Sequence, residues 1–168
     1  MATPITVRRA VAGDWAALWP IWHAIVAAGD TYEYPPDTPE DEARRRWMTV
    51  APEGLPETWV AEVGGRVVGT YRLSTNRPGL GDHVANAGYM VDAAWRGKGV
   101  GRALAEHSLD RARELGYAAM QFNAVVSTNR GAVALWRSLG FIIVGTVPDA
   151  FRHRTYGLVD VHIMHKYL

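Results

Sequence analysis

The spacing of apolar residues in the first third of the chain predicts one strand followed by two helices. Apolar and polar positions alternate over residues 5–8, which is typical of a short strand. Apolar residues then recur at helical spacing over residues 15–26, and Gly29 is placed to end that helix. Pro20 either kinks this helix or begins its main part. A second helix is predicted through about Met48, after a proline-rich loop.

Antiparallel strands are predicted in the middle of the chain. Residues 59–63 and 67–73 alternate on either side of Gly64-Gly65, a pair that suits the two-residue turn of a hairpin. A third antiparallel strand is predicted over residues 83–91, before a helix that begins near Gly99. These segments therefore predict the first part of a sheet.

The last part of the chain is predicted to continue this sheet. A strand over residues 120–126 follows the helix, so it runs parallel to the strand before that helix and is joined to it by a right-handed crossover. Another helix is expected over residues 128–139. Residues 141–147 are then predicted as a strand, 148–157 as a charged loop and 158–168 as a final strand.

Composition and charge narrow the class of protein. The 168 residues, 48% hydrophobic and 21% charged, suit one globular domain over residues 1–168. A formal net charge of +1 gives no broad basic surface, so we expect no nucleic-acid partner. Because the chain has no cysteine, it has no disulfide, thiolate metal site or cysteine nucleophile. The absence of an apolar leader or a long apolar tract predicts a cytoplasmic protein without a membrane partner.

A glycine-rich stretch between the third predicted strand and the next helix offers an anion-binding site. Gly97, Gly99 and Gly101 occupy alternate positions there. The dinucleotide fingerprint G-x-G-x-x-G does not fit, because Arg102 holds the position of its third glycine. A P-loop does not fit either, because Lys98 is followed by glycine. The residues predict a cradle of backbone N–H groups at a helix N-terminus, suited to a pyrophosphate that needs no metal.

This cradle and a group of residues downstream together resemble one protein family. The motif Arg96-x-x-Gly99-x-Gly101 is followed by Asn129, Ala132, Leu135 and Leu139-Gly140-Phe141. Their order and spacing resemble the GNAT superfamily of acyl-CoA-dependent N-acetyltransferases, from about Val60 to Val144. The resemblance implies an α/β (α+β) fold with a GNAT-type mixed sheet. In that sheet antiparallel N-terminal strands lead to a central parallel strand–helix–strand crossover, and helices cover both faces. It also implies acetyl-CoA as co-substrate and no metal.

The same resemblance implies roles for individual residues in binding acetyl-CoA. The backbone at Met90 and Val91 would run beside the pantetheine arm, with a strand N–H near the thioester oxygen. The Asn129 side chain would hydrogen-bond that arm, and capping of the following helix is an equally good and compatible role for it. The N–H groups of the cradle would hold the pyrophosphate. The residues predicted to bind it are Arg96, Gly97, Lys98, Gly99, Val100, Gly101 and Arg102.

The acceptor pocket and the general base are less sharply predicted. By resemblance the first two helices border the acceptor, which makes Tyr32, Glu33 and Tyr34 candidates for substrate contact. A proline-rich surface loop with half-buried tyrosines is an equally good interpretation of this segment. An amine arrives as ammonium and must lose a proton, so Glu33 and His83 are the candidate bases, each also explicable as an ordinary surface residue. Tyr89 and Asn123, near the ends of the two central strands, are the alternates.

One position departs from the family pattern. Many members carry a tyrosine after the motif leucine, where it protonates the leaving thiolate, but this chain has Trp136. An indole N–H is a poor acid, so that role falls to water or another residue, or is dispensable.

The predicted function is transfer of an acetyl group from acetyl-CoA to a primary amine. A small polar molecule or amino acid is favoured as acceptor over a protein N-terminus or a lysine. A non-catalytic acyl-CoA-binding regulatory module is the alternative, which Trp136 keeps open. The sequence also leaves open whether the chain forms a homodimer.

Overall fold

The computed structural model describes residues 4–48 and 55–168, and the predicted order of strands and helices is confirmed. The strands are β1 (Ile5–Arg9), β2 (Glu57–Val63), β3 (Arg66–Thr75), β4 (Val84–Val91), β5 (Ala119–Val126), β6 (Ile142–His153) and β7 (Gly157–Tyr167). The helices are α1 (Trp15–Ala28), α2 (Glu40–Met48), α3 (Val100–Glu114) and α4 (Arg130–Ser138).

The strands form one seven-stranded sheet in the order β1-β2-β3-β4-β5-β7-β6. Among these described strands only β4 and β5 run parallel, and they are connected through α3, as the crossover rule predicts. The β2–β3 hairpin turns at Gly64 and Gly65, whose φ angles of 57° and 78° match the two left-handed positions of a type I′ turn. The predicted mixed sheet with antiparallel N-terminal strands is therefore confirmed.

Helices cover both faces of the sheet, each over its own hydrophobic core. On one face α1 and α2 bury Trp22 and Trp47 against Met90 of β4. On the other face α3 and α4 pack Leu104 and Trp136 against the sheet. The α/β (α+β) fold with helices on both faces is confirmed.

The tryptophans of α1 are core residues. Trp15 is 4% exposed and Trp22 is 1% exposed, and the Trp19 ring stacks on that of Trp22 at 6.0 Å. Pro20 lies inside α1 rather than at its start, so the helix gives up one backbone hydrogen bond there. Packing of the apolar stripe compensates for that loss.

The prediction of a charged loop at residues 148–157 is wrong for most of these residues. Strand β6 continues to His153 and pairs with β7 beyond an irregularity between Val147 and Phe151. Asp149 adopts a φ of 52° there, and its N–H donates to the Asp160 carboxylate at 3.1 Å. This bulge lets a Pro-Asp sequence stay within the hairpin, because the proline sits where the ladder is already interrupted.

The long β6–β7 hairpin reaches across to the end of α1. Its tip is held there by two bonds, from the Arg154 N–H to the Gly29 carbonyl oxygen at 3.0 Å and from Arg154 Nη1 to the Ala27 carbonyl oxygen at 3.1 Å. The end of β6 thereby lies close to the loop that follows α1.

Strands β4 and β5 pair only at their amino ends. Their registered pairs are Val84 with Ala119 and Ala85 with Met120. Beyond these pairs β4 continues along β3, while β5 continues along β7. The sheet therefore opens between the carboxyl halves of its two central strands, where ligands of such sheets bind.

Glu57 at the start of β2 anchors α3 to the sheet. Its side chain is 3% exposed and accepts hydrogen bonds from Arg111 Nε at 2.9 Å, Arg111 Nη2 at 2.8 Å and Trp59 Nε1 at 3.0 Å. These bonds, chiefly those from Arg111, lower the pKa of the Glu57 carboxyl. The carboxylate thus contributes stability above its unfolded pKa and loses that contribution as the pH falls.

We expect Glu57→Gln to destabilise the protein by about 2 kcal/mol at neutral pH, since it leaves Arg111 partly unpaired. The difference from the wild type should shrink as the pH falls from the unfolded glutamate pKa of about 4.3 through the lower pKa of the folded state, where the wild-type carboxyl becomes protonated. Thermal unfolding at several pH values measures both effects. Glu114→Gln is the matched control, because Glu114 binds the same arginine but is 64% exposed, and it should cost less than about 0.5 kcal/mol. Equal losses for the two variants would contradict this account.

Candidate active site

A cavity of about 940 Å³ occupies the opening between β4 and β5. The glycine-rich segment before α3 and the start of α4 border one end. The loop after α1 and the end of β6 border the other. The cavity is large enough to hold a cofactor-sized molecule together with a small second ligand.

The predicted cradle forms a turn that leads into α3. Gly97 and Gly99 have φ angles of 73° and 86°, a conformation that other residues adopt only with strain. The first helical bond runs from the Ala103 N–H to the Gly99 carbonyl oxygen at 3.0 Å, so the amides over residues 100–102 precede it. These amides have no intrahelical acceptor, and together with the helix dipole they favour an anion.

The predicted cradle residues have different surroundings. Val100 is 1% exposed and packs in the core with its side chain, so only its amide is available. Lys98 is exposed, with its ammonium 4.9 Å from the centre of the Trp95 ring. Arg102 donates to Ser138 Oγ at 2.8 Å. Arg96 lines the cavity, and among the described residues no carboxylate pairs with it, so its charge is available to a ligand.

Gly101 shows why this segment fits an external group. It lies in the first turn of α3 and lines the cavity, where a Cβ would meet only Leu135 at 3.6 Å and Val91 at 3.9 Å. Neither backbone conformation nor internal packing requires glycine there, although glycine costs a helix about 0.5–1 kcal/mol. Close approach of a ligand to the backbone is the remaining physical reason. The segment therefore fits the diphosphate of coenzyme A.

The carboxyl half of β4 offers backbone groups to the cavity at alternate residues. The Asp92 N–H donates to the Val68 carbonyl oxygen at 2.9 Å, and the Asn76 N–H donates to the Val84 carbonyl oxygen at 2.8 Å. Even-numbered residues of β4 therefore direct their backbone toward β3, and odd-numbered ones toward the opening. The Val91 amide faces the cavity, whereas that of Met90 faces Thr70. Met90 lines the cavity without offering its N–H.

Asn129 has the capping role that the sequence offered as one alternative. Its Oδ1 accepts the Ala132 N–H at 3.3 Å at the start of α4. The residue also lines the cavity, next to Thr128, whose buried Oγ1 has no partner among the described residues. Capping and ligand contact are compatible here, because the cap uses only the amide oxygen.

The loop after α1 forms one wall of the far end of the cavity. Tyr32 donates its hydroxyl to the Tyr89 carbonyl oxygen at 2.8 Å, and its ring stacks on Tyr34 at 5.8 Å. Gly88 allows this approach, because a Cβ there would lie 3.1 Å from the Tyr32 hydroxyl. Burial raises the pKa of both tyrosines, so they stay neutral. Glu33, between them, is exposed at the rim of the cavity.

Two of the candidate bases are unsuited to that role. The Tyr89 hydroxyl bonds Ser108 Oγ at 2.7 Å, and burial raises the pKa of this phenol well above its usual range. Asn123 lines the cavity, but its amide is held by Asn76 at 2.6 Å and Gln121 at 3.0 Å and has no basic lone pair to offer.

His83 lies away from the cavity. It is exposed and immediately precedes β4, at the opposite end of that strand from the cradle. The cavity lies along the carboxyl half of the strand. We therefore do not propose His83 as the base, and Glu33 is the one sequence-predicted base that both borders the cavity and carries a carboxylate.

Trp136 is a packing residue that also forms part of the cavity wall. It is 7% exposed, and its ring lies 4.8 Å from Tyr89 and 4.7 Å from Phe122. The same cluster includes Phe141, stacked on Phe122 at 4.4 Å. The indole thus completes an aromatic wall between α4 and the central strands.

The sequence interpretation missed two polar residues in the far half of the cavity. Arg72 lies in β3, on the opposite face from its buried neighbours Tyr71 and Leu73, and period-two alternation was the signal that placed it there. His153 lay in the segment predicted as a loop. Its Nδ1 accepts the N–H groups of Thr155 at 3.0 Å and Tyr156 at 3.3 Å, so the neutral ring carries its proton on Nε2. His153 lines the cavity, and Nε2–H is the remaining hydrogen-bonding group of its neutral ring.

Comparison with known proteins bears directly on this site. The model of the acetyltransferase (GNAT) family matches residues 19–141, which include the cradle and the start of α4. The chain belongs to this family. The GNAT resemblance predicted from the sequence is thereby confirmed.

Solved GNAT structures share the fold over nearly all of this chain. A GCN5-related N-acetyltransferase from Kribbella flavida superposes with a TM-score of 0.94 at 49% identity, over 98% of each chain. A phosphinothricin acetyltransferase from Sinorhizobium meliloti, solved in complex with acetyl-CoA, superposes with a TM-score of 0.86 at 27% identity. That comparison covers 98% of this chain and 88% of the other.

Relatives with assigned activities match to different extents. The L-methionine sulfoximine/L-methionine sulfone acetyltransferase of Pseudomonas aeruginosa is 33% identical over 86% of this chain and 84% of its own length. N-acetyltransferase aca1 of Schizosaccharomyces pombe is 36% identical over 58% of this chain. The match covers 47% of that relative, so this GNAT chain spans under half of its length.

No helix within residues 4–48 and 55–168 is both long and apolar enough to cross a membrane. No group of three or more histidine, aspartate or glutamate side chains in these ranges is arranged to hold a metal ion. The cytoplasmic location predicted from the sequence stays a prediction.

We expect Gly101→Asp to lower the affinity for coenzyme A at least a hundredfold while the fold stays intact. Its carboxylate would occupy and repel the diphosphate position, yet an acid in the first helical turn favours the free helix. Titration calorimetry with coenzyme A and thermal unfolding measure the two effects. Gly99→Asp is a poorer test, because a φ of 86° strains any side chain.

Gly13→Asp is the matched control for this substitution. Gly13 is exposed and lies outside the cavity, and a Cβ added there would meet no atom within 4 Å. This variant should bind coenzyme A like the wild type. Unchanged affinity in Gly101→Asp would show that the diphosphate does not lie on the cradle.

Proposed function

We propose that this GNAT protein transfers the acetyl group of acetyl-CoA to a primary amine of a small polar molecule or amino acid. One observation carries the proposal. The amide cradle and the Val91 amide open into the same cavity as a polar far half that contains Glu33, Arg72 and His153. A donor site and an acceptor site thus share one space, and holding two reactants together is the main task of such an enzyme.

The donor half offers contacts along the length of acetyl-CoA. The cradle amides and Arg96 would hold the diphosphate at the positive end of α3. The edge of β4 at Val91 would pair with the amides of the pantetheine arm, and Asn129 and Thr128 lie beside the same path. This arrangement would place the thioester beside Val91, midway along the cavity.

The acceptor arrives as an ammonium, so its nitrogen loses two protons in all, and the thiolate of coenzyme A is the leaving group. The base Glu33 takes the first proton, the amine lone pair attacks the thioester carbonyl carbon, and a tetrahedral intermediate forms whose oxygen carries the negative charge. A backbone amide aimed at that oxygen stabilises it, a role that suits Val91. The carbon–sulfur bond then breaks, the nitrogen gives up its second proton to solvent, and the thiolate of coenzyme A receives a proton from solvent.

Trp136 is compatible with this chemistry. A thiol ionises near pH 8.5, so a thiolate is a stable leaving group at about neutral pH. A dedicated acid beside the sulfur is therefore dispensable. The indole instead helps to exclude water from the aromatic wall of the cavity.

The nature of the far half supports a small polar acceptor. Its described side chains include acids, an arginine and a histidine, which together suit a compact polar molecule. The similarity to the L-methionine sulfoximine/L-methionine sulfone acetyltransferase supports the same class. The phosphinothricin acetyltransferase that shares this fold also acts on a small molecule by its name.

The direct test is release of free coenzyme A from acetyl-CoA across a panel of amines and amino acids. We expect thiol release that depends on both the enzyme and one class of acceptor, with the acetylated product identified by mass spectrometry. Binding of acetyl-CoA without acceptor-dependent thiol release would instead identify a regulatory acyl-CoA-binding module.

We expect Glu33→Gln to lower kcat about a hundredfold, because the ammonium of the acceptor would lose its proton acceptor. The KM for acetyl-CoA should not change, since Glu33 lies away from the cradle. Asp37→Asn is the matched control, because Asp37 is an exposed acid of the same loop that does not line the cavity. Steady-state rates between about pH 6 and pH 9 measure the effect. A wild-type profile in Glu33→Gln would exclude Glu33 as the base.

A further inference from the structure

One cation in the far half of the cavity has no acidic partner among the described residues. Arg72 lines the cavity, and its Nε is buried without a hydrogen-bond acceptor. In the part of the chain that the structure describes, no carboxylate pairs with it. Other arginines do have acidic partners, as Arg8 has Asp14 and Arg111 has Glu57. Arg72 differs from them in lining the cavity without a carboxylate partner in the described chain.

The unpaired Arg72 side chain does not stabilise the folded protein. Burial without a compensating anion lowers the pKa of Arg72, because it withdraws water from the charged guanidinium. An unsatisfied buried donor also destabilises the folded state, more so when it is charged. A ligand that supplies the missing acceptor oxygens would remove this penalty, so the side chain is arranged for binding rather than for stability.

Carboxylates lie in the same cavity yet do not neutralise Arg72. Asp30 and Glu33 belong to the loop after α1 and line the far half. Neither forms an ion pair with Arg72. Charges of opposite sign kept apart around one space match a ligand that itself carries both signs. An acceptor with an ammonium and a carboxylate satisfies both sets of residues.

The position of Arg72 limits how far apart those two groups are. Arg72 is registered opposite Gly88 of β4, whereas the amide proposed to face the thioester belongs to Val91 on the same strand. At about 3.3 Å per residue the two positions are about 10 Å apart along the strand. An extended arginine side chain is long enough to span much of a distance of this size. A carboxylate close to the amine therefore fits better than one at the far end of a long chain.

We propose that the acceptor is an α-amino acid whose carboxylate is bound by Arg72. This inference rests on the proposed acetyl transfer and names the acceptor class of that site. A guanidinium can bind a carboxylate through two parallel hydrogen bonds, which fixes the orientation of the neighbouring amine. Arg72 is thus a specificity residue, because it binds the acceptor away from the reacting atoms.

The kinetic test compares amino acids with the same molecules lacking the charged carboxylate. Each acceptor is assayed as the free amino acid, as its methyl ester and as the decarboxylated amine. With the wild type, kcat/KM should fall at least tenfold from the free acid to either neutral form. Arg72→Gln should lower kcat/KM for the acid ten- to hundredfold, mainly through KM, and change it less than threefold for the neutral forms. Arg72→Lys should recover part of the loss.

A second arginine of the chain provides the control for Arg72→Gln. Arg44→Gln makes the same substitution at an exposed arginine of α2 that does not line the cavity, and it should behave like the wild type. Thermal unfolding shows whether Arg72→Gln is folded. Neutral amines that are acetylated as well as the acids, or an equal loss on acids and neutral amines in Arg72→Gln, would overturn the proposal.

A binding measurement separates failure of this inference from failure of the proposed reaction. Amino acids and their decarboxylated amines are titrated calorimetrically into the protein saturated with coenzyme A. The acid should bind to the wild type at least tenfold more tightly than the amine, and Arg72→Gln should abolish that preference, even if no thiol is released. A wild type that binds both equally, or neither, would overturn the assignment of Arg72. Absence of thiol release with this preference intact would overturn only the acetyl transfer.

Discussion

The separation of β4 from β5 is the constraint on which the rest of this structure depends. Two parallel strands that stayed paired would satisfy each other's backbone groups and leave no room between them. Here the pairing stops after Ala85 and Met120, while β4 stays paired with β3 and β5 with β7 on their other edges. The unpaired edge of β4 becomes available to a ligand, and α3 begins with its free amides at the same opening. One change in strand pairing thus creates both the space and its hydrogen-bond donors.

The two halves of the cavity are specialised by different physical means. The half proposed for the acyl donor offers backbone amides and a helix dipole, which suit a diphosphate whatever the acyl group is. The far half offers polar side chains, among them Arg72, His153, Asp30 and Glu33. Backbone recognition suits the acyl donor common to the family, whereas side chains set the acceptor.

Aromatic packing keeps the walls of the cavity in place. Tyr89 belongs to both sides of this packing, since its hydroxyl bonds Ser108 beneath the sheet while its carbonyl oxygen accepts the hydroxyl of Tyr32 from the loop above. Trp136 and Phe122 close one side and Trp47 the other. Burial keeps these phenols neutral, so they contribute shape and fixed hydrogen bonds. Glu33 at the rim is the base that we propose for the proton transfer that these phenols are unsuited to carry.

The sequence by itself determined the elements, the crossover and the cradle, because these depend on local periodicity, turn glycines and helix N-terminal geometry. It also placed Tyr32 and Glu33 near an acceptor through family resemblance. Only the tertiary structure decided which candidates meet. His83 and Glu33 were equally good candidate bases from the sequence, yet His83 lies at the end of β4 that is away from the cavity. Residues 148–153 stayed in a strand because a bulge absorbed the Pro-Asp break, which brought His153 to the cavity. Whether Arg72 has an acidic partner depends on side chains that are distant in the sequence, so local sequence does not reveal it.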